Sequence, residues 1–382
     1  MDKYSLLGFI TLIIVFVGLL LSIFLLTVKT QNKIANRLLA LYFIVFSIHI
    51  SVFFYTSYIE LPLVIEMLRD QIISLSSPLL FLYLVANIYS DFKLRYIHLY
   101  HLLPFLIEII LFIPNFYGVN HEERVIFTEN YNSQIIVKIS VVVGSVISLF
   151  YLILMFSELK KYRHLLVENY SSTTSFNYNW LYQLTIVISS IFVFSQFKQL
   201  YKFTGTDIET LNILRIVLII LLLGFLTWIM LKSMYQPELF KGIDSGHKLV
   251  KTLVKKDNSK TVSESSQQES IEANIQRLNK FMEEEEPFLD SSLTIQKLAH
   301  QFQMPSRELS ILINHHLNQH FFDFITSFRI KKAILLLKNP MNKKLTILEI
   351  LYDVGFNSKS PFNKAFKKHT GLTPTEYRAK LS

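Results

Sequence analysis

Two patterns of apolar spacing divide the chain. Up to Met230 the sequence returns again and again to long uncharged runs, while from Ile271 onward apolar residues recur every three or four positions between charged ones. The first run, Leu6 to Val28, holds 23 residues without a charge. As a helix it is about 35 Å long, enough for roughly 30 Å of hydrocarbon. It is too long for a signal-peptide core and has no small-residue cleavage site behind it. Similar runs cover 38–58, 72–89, 97–117, 134–156, 180–197 and 211–230, so the pattern predicts seven spanning helices.

Downstream the pattern changes. From Asp244 to Ser270 the chain is Ser, Lys, Gln and Glu with almost no large apolar residue, the composition of a flexible tether that passes on little torque. Ile271, Ile275, Leu278 and Met282 then recur at helical spacing. Two arrangements fit this stripe: a dimer helix, or a first helix packed on the following domain. Its shortness favours packing.

After Met282 the pattern predicts helix, turn, helix twice over. Thr294 is placed to cap a helix whose Leu298 and Ala299 face a partner, and Gln301 to Met304 give the turn. Pro305 to Leu317 gives a second helix with Leu309, Leu312, Ile313 and Leu317 as its buried stripe. That leaves Ser306, Arg307, Ser310 and Asn314 on other faces. Phe321 to Leu337 predicts a connecting helix with Ile330, Ala333, Ile334 and Leu337 on its inner face. In the second unit Thr346 and Glu349 have capping-box spacing, and Gly355 stands where the turn needs positive φ. Ser358 can cap the next helix, with Phe362 and Phe366 turned inward. Lys359, Ser360, Asn363, Lys364, Lys367 and Lys368 then face outward. Thr373 and Glu376 form another capping box, with Pro374 opening a terminal helix.

Charge sharpens this reading. The chain of 382 residues carries a net +9, but residues 287–382 hold 14 Lys/Arg and 6 Asp/Glu, a net +8. Basic segments near a membrane also bind anionic lipid, but two ordered helix-turn-helix patterns point to the polyanion of double-stranded DNA. Cysteine is absent, which excludes disulfides and thiolate chemistry. No metalloprotease, nucleophile-elbow or P-loop motif occurs, so the chain is read as no enzyme. No cofactor or metal is expected. His98 and His101 could share a helix face, but they lack adjacent carboxylates.

Ionisable groups inside the predicted spans are few, and such groups default to functional candidates. Glu108, deep in its run, and His49, between aromatics, are the candidate sensing residues. Lys138 and Arg215 lie close enough to span ends to snorkel. Connections after spans one, three and five hold Lys29, Lys33, Arg37, Lys93, Arg95, Lys160, Lys161 and Arg163. Those after spans two, four and six hold Arg69, Arg124, Lys198 and Lys202. The excess places the first group in the cytoplasm, the N-terminus outside and the C-terminus inside.

The C-terminal residues carry a resemblance. In the second unit the matching positions are Val354-Gly355-Phe356, Ser358, Ser360, Phe362, Ala365-Phe366-Lys367-Lys368, Gly371, Pro374 and Glu376-Tyr377-Arg378. The first unit adds Leu298-Ala299, Met304, Leu309-Ser310, Phe324-Ile325, Arg329-Ile330 and Ala333. Together they resemble the DNA-binding domain of the AraC/XylS family of bacterial transcription regulators, over about 271–378. Two positions depart. Pro305-Ser306 stands where the family has Ser-Pro, and Asn318 where it commonly has Gly. The resemblance implies two recognition helices in successive major grooves and RNA polymerase as a partner.

The expectation is therefore an all-α chain. A seven-helix transmembrane sensor bundle occupies 1–235, a polar linker 236–270, and a domain with two tandem helix-turn-helix units 271–382. Its expected role is a regulator in the bacterial cytoplasmic membrane, coupling an external or membrane signal to gene expression. Its partners would be DNA, the lipid bilayer, an unidentified ligand and, left open, a second copy. The alternative is a seven-span receptor or transporter-like protein whose tail binds protein rather than DNA.

Overall fold

The computed structural model describes residues 3–28, 32–89, 91–171, 178–204, 207–235, 264–342 and 344–381. Among these the fold is all-α, with one isolated β-bridge between Tyr170 and Thr294. The chain divides into two compact units, 1–159 with 177–244, and 160–176 with 245–382.

The first unit contains helices α1 (Lys3–Thr27), α2 (Lys33–Ile50), α3 (Val52–Tyr55), α4 (Leu63–Gln71), α5 (Ser76–Ile88), α6 (Leu103–Phe112) and α7 (His121–Glu129). It also holds most of α8 (Ile135–Asn169), and all of α9 (Tyr178–Thr204) and α10 (Ile208–Tyr235). Among the described residues, seven helical segments are long and apolar enough to cross a membrane: Leu7–Thr27, Lys33–Tyr55, Leu63–Ile88, Tyr96–Tyr117, Ile135–Asn169, Tyr178–Thr204 and Ile208–Ile229. Their number agrees with the hydrophobic runs, but their ends do not always. The third begins at Leu63 because its early charges are satisfied locally. Arg69 pairs with Glu66 at 2.9 Å and donates to the His49 carbonyl at 2.6 Å, and the Tyr55 hydroxyl donates to Glu66. The sixth runs on to Thr204, so Lys198 and Lys202 stand on a helix and not in a loop.

The second unit is built from α11 (Glu264–Glu284), α12 (Ile295–Gln301), α13 (Ser306–Ile311), α14 (Phe321–Lys338), α15 (Ile347–Asp353), α16 (Lys359–Thr370) and α17 (Pro374–Leu381). It has two cores that share one helix. Leu278 and Met282 from α11 join Leu298, Ala299, Leu309, Leu312 and Ile313, against Phe321, Phe324, Ile325 and Phe328 at the start of α14. Ile330, Ala333 and Leu337, further along α14, pack with Ile350, Leu351, Val354, Phe362 and Phe366. Burying each Leu or Phe side chain contributes about 1.5–3 kcal/mol, so α14 is the beam on which both halves depend. Ile271 and Ile275 lie partly buried against the first core, which resolves the open reading of their stripe as packing on this domain.

Of the linker expected at 236–270, residues 236–263 lie outside the described residues, and α11 has begun by Glu264. A further stretch belongs to this unit. The end of α8 enters it: the Ser171 amide donates to the Leu293 carbonyl at 3.1 Å, beside the Tyr170–Thr294 bridge.

Candidate nucleic-acid interface

Side-chain caps set the starts of α12, α15 and α17, while α13, α14 and α16 begin without one. In the first half the Thr294 hydroxyl accepts from the Lys297 amide at 3.2 Å. The turn that follows holds Gln303 at φ 55°, and Asn318, where glycine is common in the resembled family, is left-handed at φ 50°. Asn tolerates that conformation because its short side chain bonds locally. Pro305 precedes α13 without a side-chain cap, and α13 gives way after Ile311 to a π-helical turn, Leu312–His316.

That geometry divides the four candidates of the first half. Arg307 is exposed and Ser306 half-buried. Ser310 is buried, 5% exposed, and its hydroxyl accepts from Asn314 at 3.2 Å. Asn314 also accepts from the Phe321 amide at 3.2 Å, tying the turn to the start of α14. Ser310, expected on a face other than the buried stripe, is thus buried, and Asn314 is half-buried with its side chain bonded within the unit. Asn314 stands in the wider π-helical turn, where the 3.6-residue period no longer fixes its face.

The second half follows its sequence more closely. Thr346 and Glu349 form a reciprocal capping box, with the Thr346 amide donating to Glu349 Oε2 at 2.6 Å and the Glu349 amide to Thr346 Oγ1 at 3.1 Å. Thr373 and Glu376 repeat it at 2.8 and 3.4 Å. Backbone and hydroxyl donors from the threonines hold both glutamates below the usual carboxylate range. Gly355 sits at φ 86°, where a Cβ would lie 2.7 Å from the carbonyl oxygens of Phe288 and Leu289. Ser358 occupies the N-cap of α16, but its hydroxyl makes no cap bond, against the expectation that it would. Gly371 ends the helix at φ 77°.

On α16, Phe362, Ala365 and Phe366 are buried, while Lys359, Ser360, Asn363, Lys364, Lys367 and Lys368 are all exposed. The helix carries four lysines and no carboxylate. Among the described residues, Lys368 alone of the four is within ion-pair distance of an acid on another helix, Asp323 at 3.4 Å. A helix with one greasy and one cationic face can lie on a core and present donors to phosphates and base edges.

The candidate sensing residues fall in the first unit. Glu108, 6% exposed, accepts from the Ser140 hydroxyl at 2.6 Å. His49 Nδ1 is buried without a hydrogen-bond partner, 3.8 Å from Asp70. Both line one cavity, which also takes in Lys198, Lys202 and Arg215. The sequence reading missed the two lysines as site residues by counting them as loop charges. Their spacing, one helical turn apart at the end of an apolar run, was the available signal. His98 and His101 stack at 6.4 Å, and His101 bonds to Tyr151 at 2.8 Å.

Comparison with known proteins places the second unit. The profile of the family described as a helix-turn-helix domain matches residues 298–380. The chain is similar to the Msm operon regulatory protein of Streptococcus mutans, 32% identical over 91 residues, covering 24% of this chain and 32% of that protein. It is similar also to the uncharacterized HTH-type transcriptional regulator YdeC of Bacillus subtilis, 30% identical over 86 residues, covering 22% of this chain and 28% of that protein. The chain thus spans under a third of the length of either relative. Among solved structures, the C-terminal domain of AraT, a response regulator from Geobacillus stearothermophilus, aligns at 30% identity. That alignment covers 28% of this chain and 84% of that one, with a TM-score of 0.24. Residues 298–380 are an AraC-type helix-turn-helix domain.

Proposed function

We propose that this protein is a membrane-embedded transcription regulator that binds specific DNA sequences and adjusts that binding to a signal met by its first unit. The observation that carries the reading is the joining, on one chain, of an AraC-type helix-turn-helix domain to seven helices apolar enough to span a bilayer. Relatives matching the same domain are named as an operon regulatory protein and a transcriptional regulator.

In this reading Arg307 and Ser306 of α13, with Lys359, Ser360, Asn363 and Lys364 of α16, approach base edges. Lys367 and Lys368 hold phosphates. The protein sits in the bacterial cytoplasmic membrane with its N-terminus outside and its C-terminus in the cytoplasm, where DNA and RNA polymerase are. Two such chains on one operator would bring the homodimer into play.

The test is recovery of crosslinked genomic DNA with the full-length, tagged protein from the membrane fraction of cells. Enrichment of a few shared sequences, lost in a Lys359→Ala/Lys364→Ala double variant, is the expected result. Tagged protein that is abundant in membranes but enriches no sequence over an untagged control would overturn the reading in favour of a tail that binds protein.

A further inference from the structure

The first unit holds a partly open cavity of about 450 Å³ whose walls carry opposite charges. That volume is within the range of small-molecule sites. On one side stand Lys198 and Lys202, a helical turn apart on α9, with Arg215 on α10. All three are at least partly buried. Among the described residues none of them has a carboxylate within ion-pair distance, and Arg215 has only the side-chain oxygen of Asn212, at 3.1 Å. On the other side stand Asp70 and Glu108, one oxygen of each accepting from a neutral donor, Tyr131 at 3.0 Å and Ser140 at 2.6 Å. His49 also lines the cavity, its Nδ1 3.8 Å from Asp70 Oδ1.

The imbalance is the informative feature. Cations gathered together out of water repel each other and need compensation, and a carboxylate or a second helix usually supplies it. Here neither acid of the cavity lies within ion-pair distance of the three cations, so an anion that enters would complete their pairing. Each acid, holding a single neutral donor, keeps lone pairs free. The polar wall opposite would accept hydroxyl or amine hydrogens from the body of the same molecule.

We propose that this cavity is a binding site for a small organic anion, its phosphate or carboxylate held by Lys198, Lys202 and Arg215 and its hydroxyl or amine donors by Asp70 and Glu108. Such an anion reaches the site either free in solution or as the headgroup of a lipid. The inference rests on the membrane-regulator reading only for which side the molecule comes from, since that reading puts this end of α9 and α10 outside.

The first unit has its own reporter. The two tryptophans of the chain, Trp180 and Trp228, lie in it with ring centroids 5.0 Å apart. Thermal unfolding of the full-length protein in phosphatidylcholine nanodiscs would be followed by their fluorescence. Glycerol phosphate would be titrated against chloride at matched ionic strength, with a parallel arm in phosphatidylglycerol nanodiscs. A saturable rise in Tm with glycerol phosphate identifies a free anion. A rise only in phosphatidylglycerol identifies a headgroup. In either case Lys198→Gln/Lys202→Gln should weaken the effect by about tenfold or more, the loss expected for charge-assisted bonds. Lys202→Arg, which keeps the charge, should retain it. Absence of any rise in the unmodified protein, or an equal rise in the double glutamine variant, would overturn the proposal. Retention of operator DNA by the same preparations reads the second unit alone, so failure of the cavity and failure of the regulator reading give different results.

Discussion

Arg329 and Ser171, 158 positions apart in the chain, meet through two hydrogen bonds inside the second unit. The guanidinium is 1% exposed and donates at 3.0 Å to the Ser171 carbonyl and at 3.1 Å to its hydroxyl. It also donates to the carbonyls of Phe288 at 2.7 Å and Asp290 at 2.9 Å. Burial pulls its pKa down to about 10, still well above neutrality, so the group stays charged. A five-donor planar fork suits four converging oxygens in a way that an ammonium does not. The arginine thus clamps the segment before α12 and the end of α8 to the shared helix α14.

Arg329→Lys should therefore destabilise the second unit by roughly 3–5 kcal/mol, as breaking a buried charged network does. Ser171→Ala, which keeps the carbonyl, should cost only about 1 kcal/mol. Hydrogen exchange by mass spectrometry is the measurement. The lysine variant should exchange faster at both 169–171 and 286–294, the alanine variant only slightly. Unchanged protection in the lysine variant would show that the clamp contributes nothing.

The same segment meets Gly355 from the other side. At φ 86° and with the Phe288 and Leu289 carbonyls 2.7 Å from a built Cβ, Gly355→Ala carries both backbone strain and a collision with main chain. Gly371, at φ 77°, has open space around it. Gly371→Ala should cost about 1 kcal/mol, and Gly355→Ala clearly more. Equal exchange behaviour in the two variants would refute the collision.

These contacts mark where sequence reading reaches and where it stops. Gly355, the two capping boxes and the seven apolar segments are local: each follows from a few neighbouring residues and a fixed periodicity. The α11 stripe was legible as a stripe, but its partner was not, because the core it joins is assembled from residues up to about fifty positions away. Ser171 and Arg329 carry no mutual signal at all, since nothing in either neighbourhood names the other. In the candidate DNA face the six α16 residues were read correctly as outward, because the helix is regular. The burial of Ser310 and half-burial of Asn314 were not legible, Asn314 because it stands in a π-helical turn where that period breaks. Lys198 and Lys202 escaped because a hydrophobic run ends before its helix does.

The capping boxes predict a pH dependence of definite sign. Glu349 and Glu376 have folded-state pKa values depressed below the ordinary 4.5 by the donors of Thr346 and Thr373. A depressed carboxylate stabilises the fold above its unfolded value, and that contribution is lost as pH falls through the folded value. Protection of the amides at 346–353 and 373–381, corrected for intrinsic exchange, should therefore decline as pH drops below 4.5. In Glu349→Gln/Glu376→Gln the decline at these helices should be absent, since Gln can still accept the bond but does not titrate in this range. A decline of the same size in the double variant would place its origin elsewhere.

Asn314 offers a test of the corrected face. Its side chain accepts from the Phe321 amide and donates to the Ser310 carbonyl at 3.0 Å. Asn314→Ala should loosen the start of α14 by about 1 kcal/mol and leave operator preference untouched. A change of preferred base without loss of protection at 319–324 would restore Asn314 to the interface.

The lysines of α16 should separate by role. Lys359, Asn363 and Lys364 lie towards the start of the helix, the end that enters the major groove in helix-turn-helix readers. Changing one to Ala should relax preference at a single operator position, worth about 1–3 kcal/mol. Lys367 and Lys368 lie in its last turn. There Lys367→Ala should weaken binding to every sequence alike and flatten the salt dependence by about 0.9 in slope. Lys368 differs from its neighbour because Asp323 already holds it at 3.4 Å. Binding a phosphate means leaving that exposed pair, whose worth is only about 0–1 kcal/mol. Asp323→Asn should therefore strengthen non-specific binding slightly and steepen the salt slope, an effect that disappears in an Asp323→Asn/Lys368→Ala double variant. If Lys368→Ala leaves affinity and salt slope unchanged while Lys367→Ala behaves as expected, Lys368 makes no phosphate contact.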